Sequence, residues 1–336
     1  MAFCRQRDSA VRFSKAVLTS FGDGKNRMSV CNGPQTVLEA QQADLSVVIP
    51  SVNGWSDLQV CLQALSDQSG DYKIEIIVAD RIGEEVRAPL RLKYPQVHVL
   101  HATAEVSIPQ LRAMAFREAR GEIVAVIEDH VIVPADWAQK MLAAHQEGAM
   151  IVGGSVDNAA RDRLVDWAAF LCEYSHCLAP PAGPAKWLAG NNVSYRQSLL
   201  ERFCDAIGQE RWEDHLHNTM RRAGVTLESR PDIRVGHKKH YTIAEYLFQR
   251  YVYARSYAGM KVQRAGIFQR FIYGLATLAL PMLLIFRIVA RVLRAGRYRR
   301  ELVTSLPLLA LFVSAWAVGE AIGYWMGSGD ALRKVR

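Results

Sequence analysis

Residues 125 to 137 read AVIEDHVIVPADW, an apolar stretch that ends on Glu128, Asp129 and His130. Residues two apart at a strand end leave the backbone on the same side, so the Glu128 carboxylate and the His130 imidazole can converge. A carboxylate plus a neutral imidazole is half the shell of a Mn2+ or Mg2+ ion, with phosphate oxygens and water completing it. The bland alternative is a solvated strand end in which His130 caps the next turn. A second acid, Asp80, ends the run KIEIIVAD and favours the metal site, provided both strands open onto one crevice. Further along, WEDH carries Glu213 and Asp214. A positioned carboxylate can take a proton from an attacking hydroxyl, although an acid at a helix start is also favoured with no chemistry at all.

The elements that must position these groups are legible from Leu45 onward. LSVVIP is a short β-branched run, and DLQVCLQAL follows with Leu58, Cys61, Leu62 and Leu65 at helical spacing. KIEIIVAD, QVHVL and GEIVAVIED are three further strands. Between the last two, SIPQLRAMAFREARG offers Ser107 as N-cap, Pro109 in the first turn and Gly121 as a stop. Apolar strands alternating with helices predict a doubly wound, mostly parallel α/β sheet with helices on both faces. In such sheets the ligand crevice lies at the carboxyl ends of the strands, where Asp80 and the 128–130 cluster fall. The first turn, PSVNGWSD, has a single glycine, which argues against a dinucleotide-binding fingerprint. No Walker A loop is present.

The chain has 336 residues and a net charge of +8, with half its residues apolar. Nine cations and no acid lie between Lys261 and Arg300, so with that +9 set aside the remainder sits near −1. These cations flank apolar runs, which suits anionic lipid headgroups and argues against nucleic acid as a partner. The six cysteines (Cys4, Cys31, Cys61, Cys172, Cys177 and Cys204) show no C-x-x-C pair, as expected of reduced thiols in a reducing compartment. Residues 1–44 lack a secretory apolar core and read as a loosely ordered extension, with Met28 a second candidate start.

The segments VVIPSVN, IEIIVAD, ARGEIVAVIEDHVIVPADW, GNNVSYRQSLL and WEDHLHNTMRRAG, in that order, resemble the family 2 glycosyltransferases of GT-A fold. The resemblance covers roughly residues 45–240 and implies an inverting, metal-assisted transferase that uses a nucleotide sugar, usually UDP-linked. By the same resemblance Asp80 holds the nucleotide base, Pro50 and Asn53 line the nucleotide site, and Arg112 faces the donor. Glu128, Asp129 and His130 stand at the family's D-x-D position, with Glu and His in place of the outer aspartates. Glu128 and His130 are then metal ligands and Asp129 a donor-side residue. His237, in RVGHKKHY, is similar to a late histidine that approaches the metal or the diphosphate. Asp214 occupies the slot of the catalytic base, with Glu213 beside it. Asn191 and Asn192 offer amides to sugar hydroxyls, or else form an ordinary turn. FQRYVYARSYAG is only a distant echo of the processive Q-x-x-R-W signature, so single-sugar transfer is expected.

The expected organisation is a GT-A domain over 45–245 and an amphipathic basic connector over 246–270. A first membrane segment, re-entrant or interfacial, spans 271–290, and an Arg-rich loop covers 291–301. A transmembrane helix over 302–326 and a basic tail over 327–336 complete it. Phe271 to Phe286 is about 16 residues with Pro281 inside, short of the roughly 20 that span hydrocarbon. Glu320, within the second apolar segment, is a functional candidate or the partner of a nearby Arg. Membrane lipids are thus expected partners, with a lipid-linked or glycan acceptor as in polysaccharide biosynthesis, at the cytoplasmic face of the inner membrane. Two alternatives compete: an inactive GT-A module serving as membrane scaffold or nucleotide-sugar sensor, and a nucleotidyltransferase, for which SVNGWSD lacks the triphosphate loop.

Overall fold

The computed structural model describes residues 43–209 and 211–336. Of the N-terminal extension, residues 1–42, with Cys4, Met28 and Cys31, lie outside that range. Cys61, Cys172 and Cys177 are buried thiols.

The chain alternates strands and helices: β1 (Leu45–Ser51), α1 (Trp55–Ser66), β2 (Ile74–Asp80), α2 (Glu84–Lys93), β3 (His98–His101), α3 (Ile108–Glu118) and β4 (Ile123–Ile127). A two-residue strand β5 (Val131–Ile132) precedes α4 (Trp137–Gln146), β6 (Ile151–Asn158) and α5 (Leu164–Tyr174). Then come β7 (Gly183–Ala185), β8 (Asn192–Arg196), α6 (Gln197–Arg202), α7 (Cys204–Ile207), α8 (Glu213–Arg222) and β9 (Leu227–His237). Four helices close the chain: α9 (Ile243–Lys261), α10 (Ile267–Ala276), α11 (Leu280–Ala295) and α12 (Arg299–Met326).

Among the described residues the strands form one sheet in the order β3-β2-β1-β4-β8-β6-β9-β5, with β7 beside β9. The first four strands are parallel. β8 runs antiparallel to both β4 and β6, so the second half of the sheet is mixed. β1 is apolar on both faces because both are covered. Leu45, Val47 and Ile49 pack with Leu58 and Leu62 of α1, and Val48 packs with Leu111 and Ala115 of α3. The α3 start has Ser107 at the expected N-cap, where it forms a capping box with Gln110, and Pro109 sits in its first turn.

The C-terminal helices differ from expectation. Helical residues run from Ile267 to Ala295, longer than the apolar run alone suggests. Pro281 lies at the first turn of α11, where no N–H is missed, and Arg287, Arg291 and Arg294 continue the helix. The supposed 291–301 loop is therefore mostly helix, and only Gly296–Tyr298 link α11 to α12. Both apolar helical runs are long enough to cross a membrane. However, one face of α12 (Leu309, Phe312, Val313) is buried in the domain core, and Gly319 and Gly323 let α12 approach α9 closely. A Cβ at Gly319 would run into the Tyr251 carbonyl oxygen. The α11–α12 turn is tied down as well, with Tyr298 donating to Asp157 (2.6 Å) and its ring tilted against that of Trp167 (centroids 4.8 Å apart). Among the described residues Glu320 has no Arg partner; it accepts from Trp316 (2.8 Å) and Tyr324 (3.1 Å), each one helical turn away.

Candidate active site

β4 stops at Ile127 and the chain turns a tight corner, with Val131 N donating to Glu128 O (3.0 Å), before β5 begins. β5 pairs antiparallel with the end of β9, setting Val131 opposite His237. That register carries His237 to His130 across 107 positions of sequence, their Nε2 atoms 2.9 Å apart. His130 Nε2 is 3.4 Å from Glu128 Oε2. One ligand atom each from Glu128, His130 and His237 fits within 4.8 Å of the others.

The surroundings fix these groups in place. Asp129 is fully buried and accepts from Val52 N (2.7 Å), Asn53 N (2.9 Å) and Asn53 Nδ2 (2.7 Å). Its other neighbour is His130 Nδ1 at 2.9 Å, so this ring turns Nε2 toward Glu128 and His237. Burial alone would raise the Asp129 carboxyl, but the hydrogen bonds from His130, Asn53 and Val52 outweigh it and hold the group below its ordinary value. For His130, burial disfavours the charged ring, and the Asp129 hydrogen bond and the Glu128 charge overcome it and raise its pKa. His237 is driven the other way, well below the usual imidazole range, by burial and then by His130 and Lys239. Glu128 receives Asn191 Nδ2 (3.2 Å) and the Tyr174 hydroxyl (3.3 Å).

Glu128 also lines a cavity of about 330 Å³ whose wall includes Glu213, Asp214, Asn191 and Trp212. Arg112, at 4% exposure, bridges the two ends of that wall: it lies 3.7 Å from Glu128 and forms an ion pair with Glu213. Gly190 leaves room for Glu213, since a Cβ there would stand 2.8 Å from Oε2. Asp214 behaves differently from its neighbour. Its carboxyl pKa is raised by burial, against a hydrogen bond from the Tyr257 hydroxyl, and no cation is paired with it among the described residues. Asn191 Oδ1 and Trp212 Nε1 are buried without a hydrogen-bond partner.

The structure thus brings Glu128, His130, His237, Asp129, Asn53, Arg112, Asn191, Glu213 and Asp214 into one continuous constellation. Three expected residues are placed otherwise. Asp80 is enclosed, accepting from Ser51 Oγ (3.0 Å), Ile82 N (3.2 Å), Gly83 N (3.0 Å) and Arg87 Nε (2.7 Å). Those four donors occupy a carboxylate's acceptor positions, so Asp80 shapes the turn after β2 and is not open to a base. Pro50 is buried in β1 beside Ala79. Asn192 is fully buried and engaged in the core, accepting from Trp137 Nε1 (3.1 Å) and donating to the carbonyls of Ser155 (3.0 Å) and Ile233 (2.9 Å). Sequence reasoning missed Tyr174, Tyr257 and the Arg250–Glu173 pair (3.0 Å), in which Arg250 is packed among Tyr246, Tyr253 and Trp316. The aromatic residues at helical spacing around Arg250 were the available signal.

Residues 46–204 match the family model described as Glycosyl transferase family 2. No curated protein matches the chain. Among solved structures the chain is similar to mannosyltransferase PcManGT from Pyrobaculum calidifontis in complex with GDP-Man and Mn2+, at 17% identity over 84% of this chain and 88% of that one, TM-score 0.49. It is also similar to S. aureus TarS 1-349 in complex with UDP, at 14% identity over 83% and 90%, TM-score 0.48. A third is GalNAc-T7 with UDP, GalNAc and Mn2+, at 17% identity over 68% of this chain and 52% of that one, TM-score 0.47.

Proposed function

We propose, from the premise that this chain is a glycosyltransferase carrying a family 2 domain of GT-A fold over residues 46–204, that it moves one sugar from a UDP-linked donor to a hydroxyl of a lipid-linked or glycan acceptor, with inversion. The observation that carries this reading is that Glu128, from the Glu128–His130–His237 cluster, and Asp214 share the wall of one cavity.

The donor set fits a divalent cation. Two imidazoles and a carboxylate meet at short range, and His130 is oriented by the Asp129 carboxylate as metal-bound histidines are. His237, uncharged at neutral pH, keeps a lone pair for the ion. Nitrogen-rich ligation favours Mn2+ over Mg2+. Such an ion supplies Lewis-acid charge for a diphosphate leaving group. The remaining roles fall to the protein's own groups. Asp214 takes the proton of the acceptor hydroxyl as its oxygen bonds to the anomeric carbon. The carbon–oxygen bond to the diphosphate breaks, and its electron pair departs with the nucleoside diphosphate. One displacement with one base inverts the centre and requires no covalent nucleophile. Arg112 keeps Glu128 and Glu213 apart and oriented. Asn191 Oδ1 and Trp212 Nε1, both buried and unpartnered, are placed to bind sugar hydroxyls.

The C-terminal helices attach this site to a membrane. Ile267, Phe268, Leu278, Met282 and Phe286 are each exposed by 70% or more. Arginines 287 to 300 flank them in the manner of side chains reaching lipid headgroups. In this reading the hairpin rests in the interface and the site faces the cytoplasm. A thermal-shift panel of nucleotide sugars with Mn2+, Mg2+ or EDTA tests the function. One donor should stabilise the protein only with metal, and Asp214→Asn should keep that shift while losing turnover. If wild type binds no nucleotide sugar, the reading fails.

A further inference from the structure

A larger cavity, about 660 Å³, adjoins the one containing Asp214. The two share Glu173, His176, Trp187, Leu188, Ala189 and Trp316 as common wall, so they lie side by side. The larger part is built where the hairpin meets the domain. α11 contributes Leu284, Ile288 and Arg291, which fall on one stripe at helical spacing, and α12 contributes Val313 and Trp316. Proline, aliphatic and aromatic side chains make up most of its lining, with Glu173, His176, Lys186, Ser229 and Arg291 among them. The size is within the ~300–1,000 Å³ that holds a small-molecule ligand.

Of the charged groups on this wall, Glu173 is paired with Arg250 and Lys186 is exposed, which sets Arg291 apart. Arg291 is half-buried, yet its guanidinium makes no hydrogen bond or ion pair among the described residues. The adjacent His176 adds no charge at neutral pH, since burial and Arg291 push its pKa down to about 4. An unpaired guanidinium facing a largely apolar space suits an oxyanion carried on a hydrocarbon chain, and a phosphate, unlike a terminal carboxylate, can also bear a sugar on its far side.

We propose that this cavity is the acceptor's anchoring site, taking the apolar chain of a sugar linked to a single-chain alkyl or isoprenoid phosphate, with the phosphate on Arg291 while a hydroxyl of that sugar reaches Asp214. This assignment rests on the transferase function proposed above. It places the acceptor's specificity in the hairpin, so the helices that attach the protein to lipid also select what it glycosylates.

Trp187 and Trp316 line the cavity and report its occupancy. Purified full-length protein is titrated with a bromine-labelled dodecyl phosphate, and quenching of tryptophan fluorescence is followed. Saturable quenching is expected, weakened at least about tenfold in Arg291→Ala, the loss of one charge-assisted hydrogen bond. Arg294→Ala, one turn away on an exposed position, should behave as wild type. The neutral brominated dodecanol should bind both forms equally weakly. Equal quenching by the phosphate in wild type and Arg291→Ala overturns the assignment. So does tighter quenching by brominated phosphatidylglycerol than by the single-chain phosphate, which would make this a bulk-lipid site. UDP with Mn2+ is titrated on the same samples. Loss of that response with quenching intact condemns the transferase reading alone, and the converse condemns only the acceptor site.

Discussion

The imidazoles of His130 and His237 meet edge to face, Nε2 to Nε2 at 2.9 Å with their planes at 89°. When His130 is neutral and donates from Nδ1 to Asp129, its Nε2 carries a lone pair, and so does an uncharged His237 turned toward it. Two lone pairs at this distance repel unless a proton or a cation lies between them, and Glu128 stands where it would share that cation.

Calorimetry with Mn2+ checks this arrangement. Wild type should bind Mn2+, and Glu128→Ala, His130→Ala and His237→Ala should each abolish measurable binding. Asp129→Asn, which loosens His130 without removing a ligand, should weaken affinity about 10–100-fold. Undiminished Mn2+ affinity in His130→Ala would refute the site.

Asp214 and Glu213 are neighbours to which the proposed mechanism gives separate duties. Asp214→Asn should lower kcat by about 10²–10⁴-fold with little change in donor KM, because it removes a proton acceptor and no binding group. Glu213→Gln leaves the buried Arg112 with one carboxylate in place of two. Its main effect should be a lower Tm, by about 3 kcal/mol or less in stability. If Glu213→Gln abolishes turnover and Asp214→Asn does not, the roles are reversed.

The pH profile follows from the raised Asp214 pKa. The base works only as a carboxylate, so kcat is lost as pH falls through a value above that of an ordinary aspartate. The Tyr257 hydroxyl hydrogen-bonds the ionised form and holds that pKa down. Tyr257→Phe should therefore shift the acid limb of kcat to higher pH. A shift to lower pH would contradict the assignment of Asp214.

Asn192 is a structural residue here. Asn192→Ala strands Trp137 Nε1 and two strand carbonyls in the core, a loss of about 1–3 kcal/mol. Tm should fall, and donor KM in the folded fraction should stay at the wild-type value. A raised KM with unchanged Tm would return Asn192 to the ligand.

The crossing of α9 and α12 is testable through Gly319. Gly319→Val forces a side chain against the Tyr251 carbonyl and should cost about 1–3 kcal/mol. The displaced hairpin should be cut faster by trypsin in the Arg297–Arg300 stretch. Protection equal to wild type would show that α12 is held elsewhere.

Local pattern was enough for the strands of the parallel half, the capped helix α3 and the acid-x-His corner. Each depends on residues within a few positions of one another: two-sided burial in VVIP, a capping box between Ser107 and Gln110, and the period of two that aligns Glu128 with His130. The order of five short motifs added a resemblance to a family and, through it, the expectations for His237 and Asp214. What local pattern could not decide was which polar groups remain open. Asp80 and Asn192 looked as available as Asn191, and the fold turned the first toward Arg87 and the second toward Trp137. The apolar helices read as membrane segments separate from the domain, and two glycines and a tyrosine also bind them to it. These outcomes rest on strand register and helix crossings between residues tens to hundreds of positions apart. Composition and periodicity describe a chain's neighbours in sequence, whereas closure of the tertiary structure selects its neighbours in space.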